Sequence, residues 1–207
     1  MARKPGTVVK ARYSRGLKAA RQLAKGHIRY AVHRCNEQGQ RQYREVWDRD
    51  GAVGKRGAYE RIDRIHQDDY VYRLTLSPHP EHQDASRQLD LQAWTRQVMS
   101  QLEQDPGQRV EWFAVSHEHP DHRHVHVVAV SPRWLDVGQL RAMRDAGDRA
   151  ALAQRERAHE RERSVAEVRR GQLRDRGPDR DLVRPRGTHA VDRRAAGPSH
   201  SGLLPKP

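Results

Sequence analysis

The chain has 207 residues, of which 35% are hydrophobic and 32% are charged. This composition excludes a hydrophobic core to which the whole chain contributes, and we expect about three quarters of the chain to be ordered. The single cysteine, Cys35, excludes a disulfide framework and a cysteine-based zinc finger. No apolar run approaches the roughly 20 residues of a membrane span, so we expect a soluble, intracellular protein.

The formal net charge is +13, and it is distributed unevenly. Residues 1–60 hold 15 Lys and Arg against 5 Asp and Glu, and residues 151–207 hold 14 against 8. The middle, residues 61–150, holds 11 against 14 and is slightly acidic. Two basic ends favour a polyanionic partner such as nucleic acid, the alternative being a solvated surface rich in arginine.

The first third of the chain predicts one strand followed by a long helix. Residues 7–13 have the β-branched and aromatic character of a strand. From residue 17 to about residue 34, apolar side chains recur at helical spacing on one stripe, and the opposite face is basic. Residues 43–47 have weaker strand character, and residues 59–65 suit a short helix.

The middle of the chain predicts three more strands. Residues 70–77 form a clear strand, and apolar spacing from residue 89 to residue 102 marks an amphipathic helix. A strand begins at Val110, and another follows from His122. Residues 137–163 are then helical and increasingly charged.

These elements predict an α+β fold in three parts. Residues 1–150 form the main domain, and residues 151–176 form a charged helical extension. Residues 177–207, a mixture of Arg, Asp, Gly and Pro, are predicted to be a disordered basic tail.

Five histidines lie within ten residues, just before the apolar run Val127–Val130; they are His117, His119, His122, His124 and His126. Alternate residues share one face of a strand, so His124 and His126 point the same way. A turn between Glu118 and Asp121, with His117 paired opposite His122, brings His117 to that face. Three imidazoles converging from two strands predict a site for one divalent cation. The alternative is that these are ordinary surface histidines among the thirteen of the chain.

A tyrosine is the candidate nucleophile, because its phosphodiester conserves bond energy and can be reversed. Tyr30 lies on the first helix, and the nearby basic residues favour its phenolate; they are His27, Arg29, His33 and Arg34. Tyr13, Tyr43 and Tyr59 also lie near basic residues and stay open at this point.

The histidine-rich segment resembles the third motif of conjugative relaxases, the MobA-like plasmid mobilisation nucleases of the HUH endonuclease superfamily. That motif is typically H-x-D-x-D-x-P-H-x-H on paired strands; His117, His124 and His126 match its metal ligands, and Asp121 matches its second acidic position. Residues 27–34 are similar to the segment that holds the family's nucleophilic tyrosine. The likeness covers about residues 7–150. Two departures are His119, where an acid is common, and Arg123, where proline is common.

The resemblance implies a central, largely antiparallel sheet with helices packed on it and a DNA relaxase activity. Tyr30 would attack one phosphodiester of single-stranded or hairpin DNA at a transfer origin, leaving a 5′-phosphotyrosyl linkage and a free 3′-hydroxyl. Asp121 would orient a ligand histidine or act on the tyrosine proton, and His119 and His122 would form the rim or provide alternative ligands.

The implied contacts to DNA phosphate are Arg29, Arg34 and Arg123. The superfamily uses Mg²⁺ or Mn²⁺, whereas three imidazoles suit Mn²⁺ or Zn²⁺ better on ligand softness. Accessory mobilisation proteins are implied as partners, and the bacterial cytoplasm as the location.

Three other functions stay open. A rolling-circle replication initiator of the same superfamily commonly carries its tyrosine after the metal motif, but no tyrosine follows Tyr72 here. A non-catalytic DNA-binding accessory protein would use the metal structurally. A zinc hydrolase of small substrates would need a general base, and no H-E-x-x-H pattern is present.

Overall fold

The computed structural model describes residues 6–35, 38–103, 110–119 and 121–175. Over these residues the chain is an α+β structure with a four-stranded antiparallel sheet and four α-helices, as the sequence predicts. In chain order the elements are β1 (Val8–Ser14), α1 (Leu17–His33), α2 (Gly54–Ile62), β2 (Tyr70–Ser77), α3 (Leu91–Met99), β3 (Glu111–Glu118), β4 (Arg123–Ser131) and α4 (Val137–Asp175). A 3-10 turn, Ser100–Leu102, extends α3.

The strand order is β1-β2-β4-β3, and each neighbouring pair is antiparallel. The central strand β4 is buried on both faces from His124 to Ser131, because helices cover both sides of the sheet. Such strands show a continuous apolar run, as Val127–Val130 does.

α1 and α2 pack on one face of the sheet. The buried side chains of α1 recur every three or four residues; they are Ala20, Ala24, Ile28, Ala31 and Val32. Three of the five are alanines, which let the helix backbone lie close to Val115, Val128 and Val130 of the sheet. This close approach is what brings the polar end of α1 to the histidines of β3 and β4.

α3 and the first part of α4 pack on the other face. Trp94 of α3 is fully buried and donates a 2.9 Å hydrogen bond from its indole N–H to the carbonyl oxygen of Gly147 in α4. The same core includes Leu74, Leu76 and Val127 of the sheet.

Contacts divide the chain between Ser164 and Val165. The predicted boundaries near residues 150 and 176 stay predictions, and the predicted tail, residues 177–207, lies outside the described residues. No helix in the described part of the chain combines the length and the apolar character of a membrane span.

Several predicted elements are confirmed. β2 has the predicted bounds, α1 ends one residue before its predicted end, and the helix predicted from residue 137 continues to Asp175. The helix expected at residues 59–65 begins earlier, at Gly54, and ends at Ile62.

The strand expected at residues 43–47 is wrong. Only Trp47 pairs, by single bridges to Ala52 and Ala114, because Asp48 closes a tight turn immediately after it. The expected pairing of His117 with His122 is also wrong, since His117 lies opposite His124. The error is two residues, so every side chain keeps its face.

Candidate metal centre

Three histidines converge where β3 ends and β4 begins; they are His117, His124 and His126, hereafter the histidine cluster. His117 and His124 are direct cross-strand partners, and His126 lies two residues further along β4 on the same face. Each offers a ring nitrogen, and these nitrogens lie within 4.8 Å of one another. All three side chains are buried, at 3%, 6% and 9% exposure.

A hydrogen bond to the backbone of α1 fixes the ring of His117. A ring nitrogen of His117, Nε2, lies 2.8 Å from the carbonyl oxygen of Ala31 near the end of α1. A carbonyl only accepts, so the neutral ring donates its Nε2–H there and leaves the lone pair on Nδ1. A hydrogen bond of this kind is the usual way in which a metal-binding histidine is oriented.

The other two rings carry buried nitrogens without partners. Nδ1 of His124 and both ring nitrogens of His126 are buried and accept or donate no hydrogen bond. Buried polar groups normally have partners, and each unmet one costs about 1–3 kcal/mol. A divalent cation is the ligand that fits these lone pairs, and the donor set therefore fits a metal ion.

The histidine cluster is neutral at physiological pH. Burial lowers the pKa of His117 and of His124 to about 4, and that of His126 to about 3. The positive charge of Arg34 lowers all three further. Neutral imidazoles have the lone pairs that a cation needs, so no proton must leave before a metal binds at pH 7.

α1 brings Tyr30 to the histidine cluster. The Tyr30 ring lies 5.9 Å from the His126 ring, edge to face, and is 51% exposed. The guanidinium carbon of Arg34 lies 5.7 Å from the centre of the Tyr30 ring, so the predicted tyrosine and one predicted arginine lie together at the cluster.

The other candidate tyrosines lie elsewhere. Tyr59 donates its hydroxyl to the carbonyl oxygen of Lys25, at 3.1 Å. The ring of Tyr43 contacts His33, and Tyr13 lies on the opposite face of the sheet, where it pairs with Tyr72. Of the described tyrosines, only Tyr30 makes a ring contact with a member of the histidine cluster.

His27 is a site residue that the sequence reasoning named only as a neighbour of Tyr30. Its ring lies 5.1 Å from that of His126, and its Nε2 atom is buried without a partner. Burial and then the charge of Arg73 lower its pKa. The signal that could have found it is its spacing, since residues three apart share a face of a helix.

The residues of the β3–β4 turn surround the outer side of the cluster. The His122 ring stacks 5.2 Å from that of His124, and the His119 ring lies 4.7 Å from that of His122. Asp121 is 85% exposed, and its carboxylate lies 3.8 Å from Nδ1 of His119. The structure therefore places Asp121 beside a rim histidine, whereas the resemblance implies that it orients a ligand histidine or acts on the tyrosine proton.

Arg123 does not face the histidine cluster. It is an odd-numbered residue of β4, so it points to the opposite face, where Asp84 and Glu118 bind its guanidinium. The same guanidinium donates to the carbonyl oxygen of Leu89, at 2.9 Å. We therefore assign Arg123 to holding the β3–β4 turn in place and do not retain it as a DNA contact.

Arg29, the remaining predicted phosphate contact, is exposed on α1. It directly precedes Tyr30, and consecutive helical residues point about 100° apart, so Arg29 flanks the Tyr30 face.

Comparisons of this chain with protein-family models, curated proteins and solved structures find no match.

Proposed function

We propose that the chain is a metal-dependent enzyme that nicks and rejoins one strand of DNA, with Tyr30 as the nucleophile. The observation that carries the proposal is the contact between Tyr30 and His126. An exposed phenol lies against a buried, neutral group of three histidines in which Nδ1 of His124 and both ring nitrogens of His126 lack partners. Mobilisation or conjugative transfer of a plasmid or integrative element is the process proposed for this activity.

In the proposed reaction, the Tyr30 oxygen attacks the phosphorus of one phosphodiester and loses its proton. The new bond joins phosphorus to the tyrosine oxygen, and the bond to the 3′ oxygen breaks. The departing 3′ oxygen takes up a proton and becomes a free hydroxyl. Attack by a 3′-hydroxyl on the phosphotyrosine reverses these steps and rejoins the strand.

The residues around Tyr30 supply the remaining requirements. Arg34 carries a positive charge that attracts a phosphate placed beside the Tyr30 ring. The carbonyl oxygen of Ala31 orients His117. The histidine cluster would hold a divalent ion, Mn²⁺, Mg²⁺ or Zn²⁺, which supplies charge withdrawal from a non-bridging phosphate oxygen when bound.

The charge of the chain supports DNA as the substrate. Residues 1–60, which include α1, hold 15 Lys and Arg against 5 Asp and Glu. Such an excess binds the phosphate backbone without regard to sequence, and the binding weakens as salt rises.

A cleavage assay tests the proposal. Single-stranded fragments that tile the DNA flanking the gene are incubated with the protein and Mn²⁺, and covalent adducts are separated on a denaturing gel. We expect an adduct with the wild type and with Tyr43→Phe, and none with Tyr30→Phe. Tyr43 is the matched control, because it is an exposed tyrosine that contacts His33 of α1.

The other outcomes identify what is wrong. An adduct that persists in Tyr30→Phe would move the nucleophile to another tyrosine. Fragments that bind tightly without forming any adduct would instead support the non-catalytic accessory protein. In that case metal removal should unfold the domain, since the metal would be structural.

A further inference from the structure

A group of aromatic side chains lies on the face of the sheet opposite Tyr30. Tyr13 at the end of β1, Tyr70 at the start of β2 and Trp134 after β4 form what we call the aromatic platform. The Tyr13 and Trp134 rings meet edge to face at 4.4 Å, and the Tyr70 ring lies 5.7 Å from that of Trp134. Tyr72 lies beneath the platform, against Tyr70. Three of the six tyrosines of the chain, Tyr13, Tyr70 and Tyr72, therefore lie together, although Tyr13 is distant from the other two in the sequence.

The platform rests on a buried residue and is itself exposed to solvent. Tyr72 is buried, and its hydroxyl accepts a 2.8 Å hydrogen bond from the backbone N–H of Leu135, which is also buried. Tyr13 and Trp134 stay 51% and 50% exposed despite their mutual contact. By contrast, the tryptophans at positions 47, 94 and 112 are all buried. Large aromatic faces held rigid and open to solvent are typical of binding surfaces.

Two arginines border the platform. The guanidinium carbon of Arg15 lies 4.5 Å from the centre of the Tyr70 ring, and Arg133, next to Trp134, is exposed. Asp136, the nearest acid in sequence to Trp134, accepts a 2.8 Å hydrogen bond from the backbone N–H of Gln139 in the first turn of α4. Arginine beside open aromatic rings matches a ligand that has both flat rings and negative charge.

The platform is separate from the candidate metal centre. Tyr13 pairs with Tyr72 on the α4 side of the sheet, whereas the histidine cluster lies on the α1 side. Arg15 lies two residues before α1, and the helix rises about 20 Å between its first residue and Tyr30. No group of the platform can reach a phosphate that Tyr30 attacks.

We propose that the aromatic platform is a stacking site for the unpaired bases of a DNA strand, with Arg15 and Arg133 at its phosphates. The choice of DNA rests on the proposed function. Every base has a π face, so stacking on Tyr13 and Trp134 tolerates any sequence. The platform binds one part of the strand while another part lies at Tyr30, so the enzyme stays bound to the DNA after the strand is cleaved.

Trp134 itself reports on this proposal. Because the other tryptophans are buried, a ligand on the surface changes mainly the fluorescence of Trp134. The experiment titrates Tyr30→Phe protein, in EDTA, with oligothymidylate of about 15 nucleotides, within the range of known single-strand sites. We expect strong quenching by the oligonucleotide and a much weaker effect from a duplex of equal length.

Variants then test the residues by fluorescence anisotropy of a labelled oligonucleotide. Tyr13→Ala and Trp134→Ala should each weaken binding about 10-fold or more, because a stacked base is lost. Trp134→Phe keeps a ring and should recover most of the affinity. Leu152→Ala, a matched exposed apolar residue on α4, should change nothing. Arg15→Gln should reduce the slope of log affinity against log salt by about 0.7.

Two results would overturn the proposal. The first is tight oligonucleotide binding that leaves Trp134 fluorescence and the Tyr13→Ala affinity unchanged. The second is a Trp134 signal that follows protein concentration without DNA, which would make the platform a contact between copies of the chain. If the wild type binds the oligonucleotide through the platform but forms no covalent adduct with DNA, the proposed reaction is contradicted and the stacking site is not.

Discussion

The clearest test of the histidine cluster is to replace His126 with leucine and measure stability with and without metal. His126 is 9% exposed, and neither of its ring nitrogens has a hydrogen-bond partner. In the metal-free protein these nitrogens destabilise the fold, since one unmet buried polar group costs about 1–3 kcal/mol. Leucine is apolar and of similar size, so the change removes that cost for a packing loss below about 1.5 kcal/mol.

We therefore expect His126→Leu to be at least as stable as the wild type in EDTA, and more stable by about 1 kcal/mol if the new side chain packs well. For a domain of this size, 1 kcal/mol raises Tm by about 2–4 °C. Adding Mn²⁺ at 100 times its Kd should stabilise the wild type by about 3 kcal/mol and leave His126→Leu unchanged.

The assay is thermal unfolding in EDTA and in Mn²⁺. His66→Leu is the matched control: His66 is an exposed histidine before β2, so its change should alter neither curve by more than about 0.5 kcal/mol. A Tm of His126→Leu several degrees below the wild type in EDTA would refute the reasoning. It would mean that the His126 nitrogens are satisfied without metal and that the ring belongs to the core.

Two further predictions concern stability in the same region. Asp84→Asn should lower the free energy of unfolding by about 3 kcal/mol, because it removes the buried negative charge that pairs with Arg123. Glu118→Gln, at the exposed side of the same guanidinium, should lower it by less than about 1 kcal/mol. Urea unfolding measures both, and equal losses would show that burial of the pair is unimportant. The metal-free protein should lose stability between about pH 6.5 and pH 4, because the unfolded chain binds protons at its histidines with an ordinary pKa whereas burial holds the pKa of the histidine cluster at about 4 or below. Urea midpoints across this range should rise with pH and level off above about 6.5, and a flat profile would contradict the burial of the three rings.

The periodic parts of the chain were predictable from the sequence. β2 and α1 have uninterrupted apolar patterns, and both lie at nearly the predicted bounds. The structure of the segment at Trp47 was not predictable in this way. Val46 and Trp47 are buried like strand residues, although only Trp47 pairs with β3. A buried loop that touches a sheet edge carries the same composition as a short strand.

The register of the histidines shows what a two-residue period can and cannot determine. Alternation placed His117, His124 and His126 on one face, and the structure confirms it. The pairing itself depends on which residues form the turn, and a shift of two residues leaves every face unchanged. The candidate ligands were therefore predictable, and the cross-strand partner of His117 was not.

Arg123 shows the limit of reasoning from a motif. The alternation that placed the histidines on one face placed Arg123 on the other, yet its position within the histidine motif, where proline is common, led to the expectation of a phosphate contact. Its partner Asp84 lies 39 residues earlier in the chain, in the loop between β2 and α3. A contact of that kind leaves no local pattern, so only the structure assigns Arg123 to the β3–β4 turn.

The distribution of unmet polar atoms argues that the histidine cluster is maintained for a ligand. Nine buried side-chain nitrogen and oxygen atoms in the described residues lack partners, and four of them belong to His27, His124 and His126. The His27 and His124 rings lie 5.1 and 5.0 Å from the His126 ring, so the four atoms form one continuous group. A core that only packed would have replaced them with apolar side chains, whereas a site that binds a cation requires them. Tyr30 is the exposed tyrosine whose ring lies against this group, which makes it the residue to replace in a test of the proposed reaction.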